Sequence, residues 1–233
     1  MRELNSFFDS LVAFIIIILF LGFTGFFTWI SGSDIFMAGQ ATLQSFFSIA
    51  YWTLFFFIPA LTMRLIAEEK KTGTIEMLLT KAVTDRQVIL GKYFATLILL
   101  IIAMLFTLPW VITISKLGNI DTGGVVCGYT ALILMSAAYI SIGLFASSIT
   151  NNQIVAFLSA LFIGLFFHFI FEIIAGDMTG TIGHVFNYLS VNTHFDSLSR
   201  GVVDTRDLVY FGSIIFVGLF LTEVSLSKRN AYN

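Results

Sequence analysis

Few side chains in this sequence have the chemistry to act on a ligand, and they fall in two places. The first is a row in a long apolar stretch, where Ala156, Ala160, Gly164, His168, Glu172 and Gly176 recur every fourth residue. On an α-helix each step of such a row drifts by about 40°, so neighbours share a face. Small residues in this pattern let another helix approach closely. An ionisable pair, His168 with Glu172, costs far less facing that helix than facing hydrocarbon. The pair has two readings: a polar site responsive to substrate or proton, or a mutually hydrogen-bonded pair that fixes packing. Two ligands one turn apart make no metal site, and the sequence offers no third.

The second place is residues 68–93, EEKKTGTIEMLLTKAVTDRQVILGKY, which concentrate the charge of an otherwise apolar chain. Gly73 is an acceptable N-cap with Glu76 at the third helical position, and Ile75, Leu78 and Leu79 then form an apolar stripe. A second start is better specified: Thr84 and Gln87 have the spacing of a capping box, with Asp85 between them. A helix from Asp85 to Ser115 spans about 46 Å at 1.5 Å per residue, so its first two turns are expected to project from a membrane. The short amphipathic helix at the tip of that stalk suits a groove on a partner, with Ile75, Leu78 and Leu79 as anchors. Alternatively, the stripe rests on lipid headgroups or on the protein's own surface.

No catalytic residues are evident. A phosphate-binding loop needs G-x-x-x-x-G-K-[ST], which occurs nowhere; Gly91-Lys92 is succeeded by Tyr93 and runs into an apolar helix. If ATP drives this protein, another polypeptide hydrolyses it. Cys127 is the sole cysteine, so neither an internal disulfide nor a cysteine metal cluster exists. A net charge of -2 gives no argument for nucleic acid.

The elements that must position these residues are membrane spans. At 58% hydrophobic, 11% charged and a mean hydropathy of +0.94, the chain lies far from the roughly 25% charge of soluble domains. Apolar runs long enough for a bilayer core of about 30 Å predict an all-α integral membrane protein with six spans. They are placed near 11–30, 46–66, 93–115, 125–148, 153–176 and 208–226, within a single domain over 1–233. The first run is too long for the core of a signal peptide and is read as a retained span. Before it, Leu4, Phe7, Phe8 and Leu11 fall at helical spacing, which predicts an interfacial helix over 1–10. The 177–207 segment is long for a connector and is expected to fold into short helices at the outer surface. With the N-terminus inside, nine basic residues fall in inner segments and three, Lys116, Arg200 and Arg206, in outer ones. That excess puts both termini in the cytoplasm. The only two prolines, Pro59 and Pro109, interrupt spans two and three and are candidate hinges.

Glu68-Glu69, Lys70-Lys71, Gly73-Thr74, Glu76, Leu78-Leu79-Thr80 and Gly91-Lys92 succeed one another in the order of an acidic pair, a basic stretch, a GT-x-E-x-LLT core and a GK opening the third span. In this the chain resembles the permeases of ABC-2-type transporters, and Pro59 to Arg64 also resembles the end of their second span. Within the family it is most similar to the gliding-motility-associated permease subunits, through Arg2 to Phe8, Thr150 to Phe157 and Arg200 to Asp207.

The resemblance implies a type V exporter-like permease fold with a cytoplasmic coupling helix over the 68–92 loop. Glu68, Glu69, Gly73, Thr74, Ile75, Glu76, Leu78 and Leu79 would then dock an ATPase subunit. It further implies that ATP and Mg are held by that partner and none by this chain. A second permease or auxiliary membrane subunit, identical or larger, is expected beside it in a bacterial inner membrane. Two other readings stay open: an ion-coupled secondary transporter using His168 and Glu172, and a non-transporting anchor that transmits ATPase motion to envelope machinery.

Overall fold

The structure, a computed structural model, describes residues 11–30, 41–74, 84–178 and 180–230 with Phe7 and Gly39, and only the backbone of 228–230. The interfacial helix expected over 1–10 lies outside the described residues except for Phe7, and so do Ile75, Glu76, Leu78 and Leu79.

Among the described residues the fold is all-helical. The helices are α1 (Leu11–Trp29), α2 (Gln44–Thr62), α3 (Ala67–Thr72), α4 (Asp85–Leu105), α5 (Leu108–Leu117), α6 (Thr122–Ser148) and α7 (Gln153–Leu165). A π-helical turn, Phe166–Ile170, joins α7 to α8 (Phe171–Asp177), and α9 (Thr181–Leu189), α10 (Val191–Ser199) and α11 (Thr205–Asn230) complete the chain. Among the described residues six helical stretches are long and apolar enough to cross a membrane, as predicted. Outward faces carry residues such as Ile18, Phe162 and Phe216, each more than 60% exposed. An apolar belt of that extent is untenable in water and matches a hydrocarbon surround.

The starts of these helices reflect local chemistry. Asp121 caps α6 by accepting from Gly123 N–H at 3.0 Å, and Asn152 caps α7 by accepting from Ile154 N–H at 2.9 Å. The predicted capping box opens α4: Gln87 N–H donates to Thr84 Oγ1 at 3.4 Å, and Thr84 N–H donates to Gln87 Oε1 at 3.2 Å. Ile89, Lys92 and Tyr93, in the second and third turns of α4, are buried against the rest of the protein, whereas its first turn is largely exposed.

At the centre is α6, which packs against α2, α4, α7, α10 and α11. Its small residues let those neighbours come close, and where they do there is no room for a Cβ. One built on Gly143 would overlap Thr62 Oγ1 of α2, and one on Gly128 would overlap the Phe47 ring. From the far side, a Cβ on Gly218 of α11 would lie 2.5 Å from Ser141 Oγ of α6. Where Phe46 and Phe47 of α2 meet Trp110 and Tyr129, tilted and edge-on ring contacts at 5.4–5.9 Å tie α2, α5 and α6.

Three spans depart from the expected single helices. Span two ends at Thr62, turns over 63–66 and resumes as α3. Residues 67–72, expected as loop, are helical because Glu68 and Glu69 sit in the first turn and Lys70 and Lys71 in the last, matching the helix dipole. Span three breaks at Phe106 and Thr107 rather than running unbroken to Ser115. Span five contains the π turn, with Phe171 N–H bonded to Phe166 O five residues back. The 177–207 segment forms the expected short helices, α9 and α10.

Candidate functional site

The regular hydrogen-bond ladder of an α-helix does not continue through 63–66, and a side chain from the central helix repairs the break. Ser147 of α6 accepts from Ile66 N–H at 3.1 Å and Ala67 N–H at 3.0 Å, and donates to Met63 O at 3.0 Å. One hydroxyl thus serves three backbone groups that the turn leaves without helical partners. Beside it, the Lys70 ammonium donates to Ser148 O, and Ser225 of α11 donates to the same carbonyl at 3.1 Å.

From α3, the Glu69 carboxylate meets Lys92 of α4, Oε1 to Nζ at 2.5 Å. Lys92 is 3% exposed. Its charge is tolerated there because a carboxylate is held against it. Glu68 points to the surface, as do Gly73 and Thr74. Gly73 closes α3 at φ 72°, a conformation that costs glycine nothing, and the helix expected to start from it lies past Thr74, outside the described residues. Thr74 and Thr72 hydroxyls lie 2.9 Å apart beyond it. The expected docking helix over 75–80 would come directly after, outside the described residues. What the described part supplies is its base: α3, locked to α4 by an ion pair and to α6 by Ser147 and Ser148.

The candidate hinges differ from each other. Pro59 stays within α2, whose ladder continues through Met63 N–H to Pro59 O at 2.9 Å; the break falls four residues later. Pro109 lies in the first turn of α5, where its missing N–H costs nothing, so the interruption is at Thr107. That residue donates to Met104 O at 2.6 Å and shares a 2.6 Å hydrogen bond with Tyr129 Oη of α6. Both breaks are therefore pinned to α6 by a hydroxyl.

The intramembrane pair is arranged otherwise than the fourfold spacing suggests. Ala156, Ala160, Gly164 and His168 are buried, but Glu172 and Gly176 are not. The π turn adds a residue to the turn and rotates the helix beyond it, so Glu172 no longer lies beneath His168. The two do not bond to each other: His168 Nδ1 shares a 2.9 Å hydrogen bond with Tyr139 Oη, and Glu172 Oε2 accepts from Asn192 Nδ2 at 2.8 Å. The imidazole is stacked between Tyr51 at 4.1 Å and Phe55 at 4.3 Å, with Trp52 edge-on at 4.6 Å. His168 and Glu172 still border one cavity of about 360 Å³, which also receives Asp196 and Phe195 from α10.

One cluster escaped the sequence reading. His194 of α10 lies 2.6 Å from Asp207 Oδ1 through Nδ1 and 2.9 Å from Tyr188 O through Nε2, and its ring stacks on Tyr210 at 4.0 Å. All but Tyr188 are buried. The cluster ties the helices of the 177–207 segment to the start of α11. A signal existed in Asp207 opening an apolar span, but the partner is thirteen residues away across a turn and shows no periodic relation to it.

Among the described residues no group of three His, Cys, Asp or Glu side chains is placed to hold a metal. Compared with known protein families, residues 31–222 match the family described as ABC-2 family transporter protein. No curated protein matches the chain.

Proposed function

The chain belongs to the ABC-2 family of transporter proteins, and from that premise we propose that it is the permease subunit of an ATP-driven complex whose ATP and Mg are bound by a separate ATPase. The observation that carries this reading is the locked base of the 68–92 loop. A push delivered to residues 75–80 enters α3, and the Glu69–Lys92 pair passes it to α4. Through Ser147 and Ser148 it also reaches α6, the helix on which the other spans pack. Motion at the docking helix therefore cannot be absorbed locally. The absence of any phosphate-binding loop motif from the sequence agrees with hydrolysis on another chain.

In this reading the Glu69 end faces the cytoplasm, with both chain termini on that side, as the distribution of basic residues favours. The chain acts as a single permease unit beside a second membrane subunit, since α6 packs at the centre of the spans and six helices offer little enclosed path alone. The short strings shared with gliding-motility-associated permeases support assignment to that branch in a bacterial inner membrane. Its work would be export or the driving of envelope machinery.

Affinity purification in mild detergent, with identification of co-purifying chains and an ATP hydrolysis assay, tests the reading. Recovery of a P-loop ATPase that is lost on Leu78→Asp with Leu79→Asp is the expected result. Isolation of a stable, folded chain without any ATPase overturns it.

A further inference from the structure

Three cavities stand out among the described residues, and their linings differ in kind. One of about 650 Å³ opens at the end opposite Glu69, and one of about 410 Å³, between α6, α7 and α11, is almost wholly apolar. The third, of about 360 Å³ beside His168, combines aromatic walls, carboxylates and buried polar atoms that lack partners. We propose that this third cavity binds an organic ammonium group bearing N–H donors, carried either by a free primary amine or by the headgroup of a membrane lipid.

The lining sets the sign of the ligand. Glu172 and Asp196 border the cavity, and among the described residues no lysine or arginine does. Arg200 lies 3.2 Å from Asp196 on the exposed side and offsets that carboxylate, which leaves Glu172 as the principal charge. Asn192 holds Glu172 by one oxygen at 2.8 Å. A lone carboxylate fixed at the rim of an aromatic cavity attracts a cation and repels an anion.

The walls favour the same ligand. Tyr51, Trp52, Phe169 and Phe195 line the cavity; His168 at 4.1 Å and Phe195 at 4.5 Å cover Tyr51, and the Trp52 ring, 47% exposed, offers an aromatic face to a ligand. A cation over such faces is attracted by their quadrupoles, most strongly by that of tryptophan. The volume lies at the small end of ligand pockets, which suits a headgroup rather than a bulky solute.

The unpartnered atoms suit N–H donors. Tyr51 and His168, 4% and 2% exposed, line the cavity, and Tyr51 Oη and His168 Nε2 are buried with no hydrogen-bond partner among the described residues. Buried polar atoms in that condition are costly. In the tautomer whose Nδ1–H donates to Tyr139, His168 Nε2 carries a lone pair, and both atoms are then acceptors for an ammonium. A primary ammonium supplies three N–H groups: two for these acceptors and one for Glu172. A quaternary ammonium supplies none.

The test uses the purified full chain in non-ionic detergent, titrated with ethanolamine and with 1-propanol, its uncharged isostere, and read by saturation-transfer NMR. In parallel the chain is reconstituted with equal phosphatidylethanolamine, phosphatidylcholine and phosphatidylglycerol, and retained lipid is identified by native mass spectrometry. Ethanolamine is expected to bind at least about tenfold tighter than 1-propanol, falling about tenfold in Glu172→Gln and about threefold in Trp52→Leu. Glu172 is not buried, so its isosteric variant keeps the fold even if Trp52→Leu does not. Enrichment of phosphatidylethanolamine that is lost in Glu172→Gln assigns a lipid headgroup; ethanolamine binding without lipid enrichment assigns a free amine. Absence of both preferences overturns the proposal, as does either one persisting unchanged in Glu172→Gln, or phosphatidylcholine retained as well as phosphatidylethanolamine. Neither arm involves ATP or a partner, so the result stands apart from the ATP-coupling reading.

Discussion

Glu69 and Lys92, 23 residues apart in the chain, are joined Oε1 to Nζ at 2.5 Å, with Lys92 buried and Glu69 partly open to solvent. The pair closes the loop that carries the expected docking helix. Its partners also differ in burial: losing Glu69 takes a carboxylate away from a buried ammonium, whereas losing Lys92 leaves a carboxylate that is partly open to water.

Glu69→Gln should therefore destabilise more than Lys92→Met. Breaking a buried pair costs roughly 3–5 kcal/mol, and the partial exposure of Glu69 puts this one at the low end. Thermal unfolding in detergent checks the order. Equal melting temperatures for the two variants would show that burial does not govern the pair.

Ser147→Ala removes a hydroxyl that satisfies two backbone N–H groups and one carbonyl at the break between α2 and α3. Leaving buried backbone donors without partners costs about 1–3 kcal/mol. Hydrogen exchange should accelerate at Ile66 and Ala67 before it does in the middle of α2. Unchanged exchange at those two amides would contradict the role given to Ser147.

Gly143→Ala places a Cβ on a line that Thr62 already occupies, overlapping its Oγ1 and 2.7 Å from its Cβ. Overpacking of this kind typically costs about 1–3 kcal/mol. Adding Thr62→Ala removes the nearest atom, so the double variant should be more stable than the sum of the single effects. Simple additivity in a thermal-melt cycle would argue against direct contact.

Asp207→Asn weakens the link between α10 and α11 by discharging the acceptor of His194. A hydrogen bond to a charged group contributes about 1.5–3 kcal/mol. Exchange should rise across 188–199 while α6 stays protected. A uniform rise over the whole chain would mean that the cluster holds the global fold rather than this segment.

Much of the architecture was legible in the sequence because its physical basis is local or one-dimensional. Six apolar runs predict six spans since hydrocarbon tolerates only helices of sufficient length, and Thr84 with Gln87 predicts a helix start since a capping box needs only four residues. The string from Glu68 to Lys92 pointed to the family by resemblance, and the match over residues 31–222 agrees with that family. The candidate site was only partly legible. His168 and Glu172 were singled out by their spacing, but that spacing assumes 3.6 residues per turn, and the π turn at Phe166–Ile170 breaks the assumption.

By itself, then, the sequence determined that this protein is helical, crosses a membrane and carries a charged loop between its second and third spans, because hydrophobic length and local capping suffice for each. Only the tertiary structure decided which polar groups meet. Ser147 reaches Ile66 from 81 residues away, Lys92 reaches Glu69 across the loop, and His168 stacks on Tyr51 and Phe55 from another span. A buried polar group must find a partner wherever packing brings one, and in a bundle of spans that partner comes from a neighbouring helix rather than from the next turn.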